Sequence, residues 1–500
     1  MIEFGRRRSG LYFWLLAALS YPGLSHGQSL DALSPEVRKY LSFRTPKVVL
    51  EHVEVIDGTG AAPIADQNIY IADGKITAIS AGADVSASDG TTVLDLHGHS
   101  VMPGIVGMHD PLYATARPNL RADRSFDRPA LFLSMSFSAP RLYLANGVTT
   151  MRTAGGVDPY TDTKLKRQID AGILPGPHLD VTGPYLDGPG NLILQMQDLS
   201  GPEDARQTVA YWADRGVTSF KAYAHITRAE LSAAVKEAHK RGLKITGHLC
   251  SITYEEAAEI GIDNLEHGFF VNTSLDPDKK ADTCTTSSGD YTLEHMIPGS
   301  PEANRLIAML IKHHVAITST LAGPASSVPD GIEALDGRPH LPPGALQAMS
   351  PSLRDAVLFS RNAAPSKDSP GPAFMLRRDM DLERAFVAAG GLLIAGPDAT
   401  GNGGVIPGFG DHRQIELLVQ AGFTPVQAIR IATLNGATYL GRGGEIGSIA
   451  AGKKADLVVM KGDPATRITD IENVELVFKD GAGYNPKLLL ESVKGQYGEY

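Results

Sequence analysis

The chain has 500 residues, 43% of them hydrophobic and 20% charged, which is enough apolar material for a large buried core and excludes a disordered chain. Formal net charge is −10, with no Lys/Arg run beyond the extreme N-terminus, which argues against a nucleic-acid partner. The length fits two or three ordinary domains, or one large α/β barrel with an appendage.

The first residues read as an export signal. Arg6, Arg7 and Arg8 form a positive n-region, and Leu11 to Leu19 is an apolar run too short for a stable membrane anchor. Ser25 and Gly27 supply small residues before a cleavage point ahead of Gln28. Residues 1–27 are therefore expected to be a signal peptide and the mature protein periplasmic or secreted, with no stable membrane span after cleavage. Cys250 and Cys284 can form one disulfide in an exported chain; two unpaired buried thiols are the alternative.

After a lead-in at 28–46, residues 47–103 read as strands, with a hairpin turn at Asp73-Gly74 between Asn68–Ile71 and Lys75–Ile79. The style returns at 439–483, in Ala455–Met460 and Val474–Lys479. Two strand-rich flanks predict a small β-sandwich built from both chain ends, followed by a tail at 484–500. Between them, residues 104–438 alternate strands and helices. Short apolar runs lie at Ile105–His109, Gly147–Arg152, Val217–Tyr223, Leu243–His248, Ile262–His267, Val315–Leu321 and Leu392–Gly396. The clearest helix starts at Thr227, with Glu230 completing a capping box, apolar residues Leu231, Ala234, Val235 and Ala238 at helical spacing, and Gly242 at the end. So many βα units predict a (β/α)8 TIM-like barrel.

Reacting groups in such a barrel sit at the C-terminal ends of strands. His109, Lys221, His248, His267 and Asp398 all fall there, in chain order. Imidazole and carboxylate suit Zn2+ and similar divalent ions. Lysine fits such a set only if CO2 has converted its amine to an anionic carbamate. His225, Tyr223, Arg152 and Tyr185 also lie at strand ends and are candidate substrate contacts. Three other patterns are set aside. Gly23-Leu24-Ser25-His26-Gly27 matches a nucleophile elbow but lies in the signal segment; His97-Gly98-His99 precedes the barrel; His313-His314 ends a helix, where positive charge suits the dipole.

Several motifs carry a family resemblance. They are Val101-Met102-Pro103-Gly104, Gly147-Val148-Thr149-Thr150-Met151-Arg152, Gly247-His248, Glu266-His267-Gly268, Ala395-Gly396-Pro397-Asp398-Ala399 and the stretch from Gly447 to Val459. From about Val48 to Gly481 the chain resembles the amidohydrolase superfamily, in its imidazolonepropionase-like and Xaa-Pro dipeptidase-like branch. The resemblance implies that His248, His267 and carboxylated Lys221 bind one divalent metal and that His109, Lys221 and Asp398 hold a second. It implies that Asp398 also shuttles a proton during hydrolysis of an amide or other C–N bond in a dipeptide, N-acyl amino acid or cyclic amide. One position departs: where the family has His-x-His, this chain has His109-Asp110-Pro111, and proline offers no side-chain ligand. Alternation along the strand aims Asp110 away from His109. One metal or two therefore stays open, and a catalytically impaired small-molecule-binding barrel and an esterase or lactonase are the alternatives to an amidohydrolase.

Overall fold

The computed structural model describes residues 30–86, 90–115, 131–191, 193–328, 341–361 and 371–499. The expected signal peptide at 1–27 lies outside them, as does the nucleophile-elbow pattern within it. The first strands are β1 (Lys47–Val55), β2 (Ile64–Ala72), β3 (Lys75–Ala81), β4 (Thr91–Asp95) and β5 (His99–Pro103). Asp73 and Gly74 link β2 to β3 with φ of 50° and 78°, the left-handed pair that a tight hairpin turn requires.

The barrel region supplies β6 (Ile105–Gly107), β7 (Tyr113–Thr115), β8 (Phe132–Ser134), β9 (Val148–Arg152), β10 (His178–Asp180), β11 (Thr182–Asp187), β12 (Gln197–Asp198), β13 (Ser219–Ala222), β14 (Lys244–Gly247), β15 (Asn264–Leu265), β16 (Ala316–Ser319) and β17 (Leu393–Ala395). The C-terminal region adds β18 (Leu457–Lys461), β19 (Val474–Lys479) and β20 (Ala482–Tyr484).

Both chain ends do meet in one module. β18 pairs antiparallel with β5, from Leu457 opposite Pro103 to Lys461 opposite His99. The strand order is β20-β19-β18-β5-β1-β2-β3, with β4 also on β1, so these strands form one continuous sheet rather than the two separate sheets of a simple sandwich. The reason is that β1 is long enough to carry β4 beside its first half and β5 beside its end. Val48, Leu50, Ile69, Leu457, Val459 and Phe478 form its apolar core.

The middle of the chain is a TIM-barrel-like α/β assembly. β6, β9 and β10 pair in parallel, and β11, β13, β14, β15, β16 and β17 continue as a second parallel series with β12 on its outer edge. β10 and β11 are one run broken at Val181. Gly156 bridges to Pro184, linking the first series to the second, and at the other end the Met108 amide donates to the Ala395 carbonyl (2.8 Å) and the Asp398 amide to the His109 carbonyl (3.0 Å). Helices cover this sheet. Thr227 caps Arg228–Lys240 with the expected box, and Gly242 follows with φ of 70°. Strands covered on both faces read as continuous apolar runs, and all of Ser219–Ala222 is buried, Lys221 included.

Two long segments that carry no apolar strand run contain helices. The stretch from Asp276 to Pro301 contains a helix at Asp290–His295, and helices at Pro343–Ala348 and Pro351–Arg361 lie between Pro324 and Pro372. The C-terminal tail is also folded: after a helix at Pro486–Glu491 it returns to the barrel, where Tyr497 is fully buried. Among the described residues, no helix is long and apolar enough to cross a membrane.

Candidate metal centre and active site

Strand ends bring four of the five expected ligands into close range. His109 follows β6, Lys221 lies in β13, His267 follows β15 and Asp398 follows β17. One ligand atom each from His109, His267 and Asp398 lies within 4.8 Å of the others. His109 Nε2 is 3.4 Å from Asp398 Oδ1 and 3.3 Å from Lys221 Nζ. His248, after β14, stacks its ring edgewise on His267 at 4.7 Å between centroids. This grouping draws on both half-sites that the resemblance implies, with His109 and Asp398 from one and His267 from the other.

Backbone strain marks two of these positions. His267 and Asp398 have φ of 65° and 55°, a left-handed conformation unusual for residues with a Cβ. At Asp398 the turn is held on both sides, since its amide donates to the His109 carbonyl and its carbonyl accepts from the Thr400 amide at 2.8 Å.

The surrounding charges favour metal-binding forms. Burial pulls the His248 imidazole down to about 3, so it stays neutral with a lone pair to offer. Burial, reinforced by His248 and His109, holds His267 well below its ordinary value. Burial lowers the Lys221 amine as well, toward the neutral form that can react with CO2. At Asp398 burial raises the carboxyl, but His109, His267 and Lys221 together outweigh it and hold the group ionised. His109 points its Nδ1 at Glu266 Oε2 (2.8 Å), and His267 points its Nδ1 at Thr320 Oγ1 (3.0 Å), so in both rings Nε2 is the nitrogen left for a ligand. These donors fit a divalent cation bound through imidazole nitrogen and carboxylate oxygen.

The position of the missing histidine is not made good by its neighbour. Asp110 is fully buried and lies against Gly107 and Asp411, where burial first and then the Asp411 charge raise its carboxyl well above the ordinary range. Pro111 contributes its carbonyl, which accepts from the Tyr143 hydroxyl at 3.1 Å.

The four candidate substrate contacts separate. Arg152 is 1% exposed and lies beneath the cluster, where its guanidinium donates to the Met108 carbonyl, Asn264, Glu266 and Thr318. Held in this way, the guanidinium orients Glu266 and through it His109. Tyr223 packs against His248 with centroids 4.6 Å apart, and Tyr185 lies 5.0 Å from Tyr223. Tyr185 is also hydroxyl to hydroxyl with Tyr113 at 2.5 Å. His225 is one-third exposed and fixed by buried Asp187, which accepts from its backbone amide at 2.6 Å and raises its imidazole pKa. Cys250 and Cys284 are bridged, which pins the segment after His267 beside the end of β14.

Sequence reading missed Glu266 and Tyr113. Glu266 had a legible signal: it and Arg152 both end apolar runs, and charged groups buried there need each other. Tyr113 had none, because its place depends on how the chain turns after Pro111. The other histidine pairs lie elsewhere. His99 bonds Glu475 and His97 bonds Asp95, both on the small sheet, and His313 caps the helix Pro301–Lys312. His178, Asp456 and Asp480 also cluster within 4.8 Å, at the junction of barrel and sheet. There Lys454 and Lys479 already pair with Asp480, so the charge is balanced without an ion.

Comparison with known proteins bears on the fold and the family. A Clostridium tetani imidazolonepropionase is 29% identical over 184 residues, 35% of this chain and 40% of its own length, so the chain spans less than half of that relative. A Xaa-Pro dipeptidase solved with methionine in its active site superposes with a TM-score of 0.63 at 21% identity, covering 88% of this chain and 100% of the other. A bottromycin amidohydrolase gives 0.64 at 21% identity, covering 93% of each chain. The model of the Amidohydrolase family matches residues 141–482, well over half of the sequence, and the chain belongs to that family.

Proposed function

We propose that the protein is an exported, metal-dependent amidohydrolase that cleaves an amide or related C–N bond in a small molecule such as a dipeptide, an N-acyl amino acid or a cyclic amide. The observation that carries this reading is the convergence of His109, His267 and Asp398 ligand atoms within 4.8 Å, with Lys221 Nζ 3.3 Å from His109. A closed (β/α)8 barrel with a sheet module from both chain ends is the frame that this reading assumes, and the hydrogen bonds from the β17 end to the β6 end support it. Export is supported by the Cys250–Cys284 disulfide, which suits an oxidising compartment.

Lys221, carboxylated by CO2, would hold one divalent ion, Zn2+ by ligand type, with His248 and His267, and His109 and Asp398 would face the same ion or a second one. Such an ion supplies Lewis acidity toward a carbonyl and lowers the pKa of water to about 7. The chain itself then handles the proton. Asp398 is ionised and partly open, so its carboxylate oxygen can accept the proton of the attacking water and pass it to the departing nitrogen. Tyr223 and Tyr185 line the approach, and His225 stands at its rim.

The test is metal analysis with activity screening. Near-stoichiometric zinc, with hydrolysis of a panel of N-acyl amino acids, dipeptides and cyclic amides lost in His248→Ala, supports the proposal; metal-free protein inert across the panel overturns it. A second reading, a small-molecule-binding barrel with impaired turnover, is favoured by one feature, Pro111 in the histidine position with Asp110 turned toward Asp411.

A further inference from the structure

The tail after β20 ends in the barrel mouth. Tyr497 is 0% exposed, and its phenol hydroxyl lies 2.8 Å from the Ala399 carbonyl oxygen and 3.2 Å from that of Tyr113. Its backbone is stitched in as well: the Tyr497 amide donates to Ala348, the Ser350 amide donates to Tyr497 and the Gly495 amide donates to Gln347.

The two carbonyls that Tyr497 reaches belong to the two most consequential turns of the site. Ala399 directly follows Asp398, whose left-handed backbone is costly without outside support. Tyr113 lies two residues past Pro111, and its own hydroxyl meets Tyr185, whose ring is 5.5 Å from Lys221 Nζ. The Thr115 amide closes the ring by donating to the Thr400 carbonyl at 3.0 Å. The loop after the first barrel strand and the loop after the last are thus tied together through a residue from the far end of the chain. A metal ligand at position 111 would supply such a tie through the ion. Proline cannot.

We propose that Tyr497 is a positioning residue that holds the Asp398 turn against the Tyr113 segment, so that the C-terminal tail completes the active site. The inference rests on the metal-hydrolase reading only in treating Asp398 as a ligand and proton carrier. One hydroxyl proton serves both carbonyls, with Ala399 the nearer acceptor. Removing it leaves two buried carbonyl oxygens short of a donor next to strained backbone, and the turn relaxes.

The experiment is Tyr497→Phe in the full-length protein, read by hydrogen exchange without added metal and by Co2+ absorption. The expected result is at least tenfold faster exchange in peptides spanning 396–401 and 109–115, unchanged exchange in the small sheet, a shifted Co2+ d–d band and tenfold weaker Co2+ binding. Unchanged exchange in those two peptides, or a uniform rise across the chain, overturns the proposal. So does a lower melting temperature with an unaltered Co2+ spectrum. If the variant does not fold, the unmodified chain decides the matter. There the Thr400, Ser350 and Tyr497 amides should share one protection level, because one opening frees all three, and a Thr400 amide exchanging tenfold faster than Tyr497 rejects the strap. If the unmodified protein binds no Co2+, the metal-hydrolase reading fails while the exchange data still judge Tyr497.

Discussion

His109 and Glu266 share a buried hydrogen bond, 2.8 Å from Nδ1 to Oε2, which turns the other imidazole nitrogen toward Asp398 and Lys221. Glu266 in turn takes Arg152 on its second oxygen at 2.8 Å. A carboxylate behind a ligating histidine fixes the tautomer and strengthens the ligand, and losing it costs metal affinity about 10- to 100-fold. Glu266→Gln is expected to lower zinc affinity by that factor, measured by competition with a chromogenic chelator. Unchanged affinity would remove His109 from the ligand set. The same change bears on acid stability. Burial raises the Glu266 carboxyl, but Arg152 and His109 outweigh it and hold it well below its ordinary value of 4.5. A depressed folded pKa contributes stability above the unfolded value, and that contribution fades as pH falls below about 4.5.

Lys221 supplies a test that needs no substrate. Its amine is 1% exposed and lowered by burial, which favours reaction with CO2. Metal-stripped protein is expected to take up zinc several-fold less completely in CO2-free buffer than with added bicarbonate, as measured by elemental analysis. Lys221→Met should abolish the bicarbonate effect. Equal uptake in both buffers rules out the carbamate.

Pro111 offers a test of metal stoichiometry. Asp110 is committed to the Asp411 side of the strand, so its carboxylate does not replace the missing histidine. Pro111→His is expected to raise bound zinc by up to one equivalent per chain and to increase hydrolysis rate. Unaltered metal content with a normal fold would mean that this strand end is no longer shaped to receive an ion.

Cys250 and Cys284 close a loop of sequence separation 34, for which the chain-entropy model assigns about 3 to 4 kcal/mol. Cys250→Ser with Cys284→Ser is expected to lower the unfolding free energy by about that much, and dithiothreitol should lower the melting temperature of the unmodified protein but not that of the double variant.

Asp162 offers a stability change outside the candidate ligand set. It is 5% exposed within the helix Pro159–Asp170, and burial, aided by the Asp158 charge, raises its carboxyl to about 8. A raised carboxyl pKa stabilises the fold at low pH, and that advantage drains away from about pH 4 up to about 8, on the order of 1 kcal/mol per pH unit. Asp162→Asn is therefore expected to raise the melting temperature at pH 8 more than at pH 5, by thermal denaturation at both. An equal change at both pH values would mean that the acid is solvated in the fold.

The sequence by itself determined most of the elements and singled out the candidate ligands. Apolar runs bounded by Gly and Pro set the strands, Thr227 with Glu230 set a helix start, and His109, Lys221, His248, His267 and Asp398 stood out because polar groups at the ends of buried strands are rare without a task. It also exposed the departure at Pro111. Those features depend on local propensity and on period, which are legible in a linear string. Only the tertiary structure decided the rest. It placed Arg152 beneath the cluster instead of beside a substrate, joined Glu266 to His109 across 157 positions, and brought Tyr497 onto Tyr113 and Ala399 across 384 and 98 positions. The partner of a buried polar group is fixed by how the parallel strands come together and by the path of the tail, and neither leaves a periodic trace in the chain.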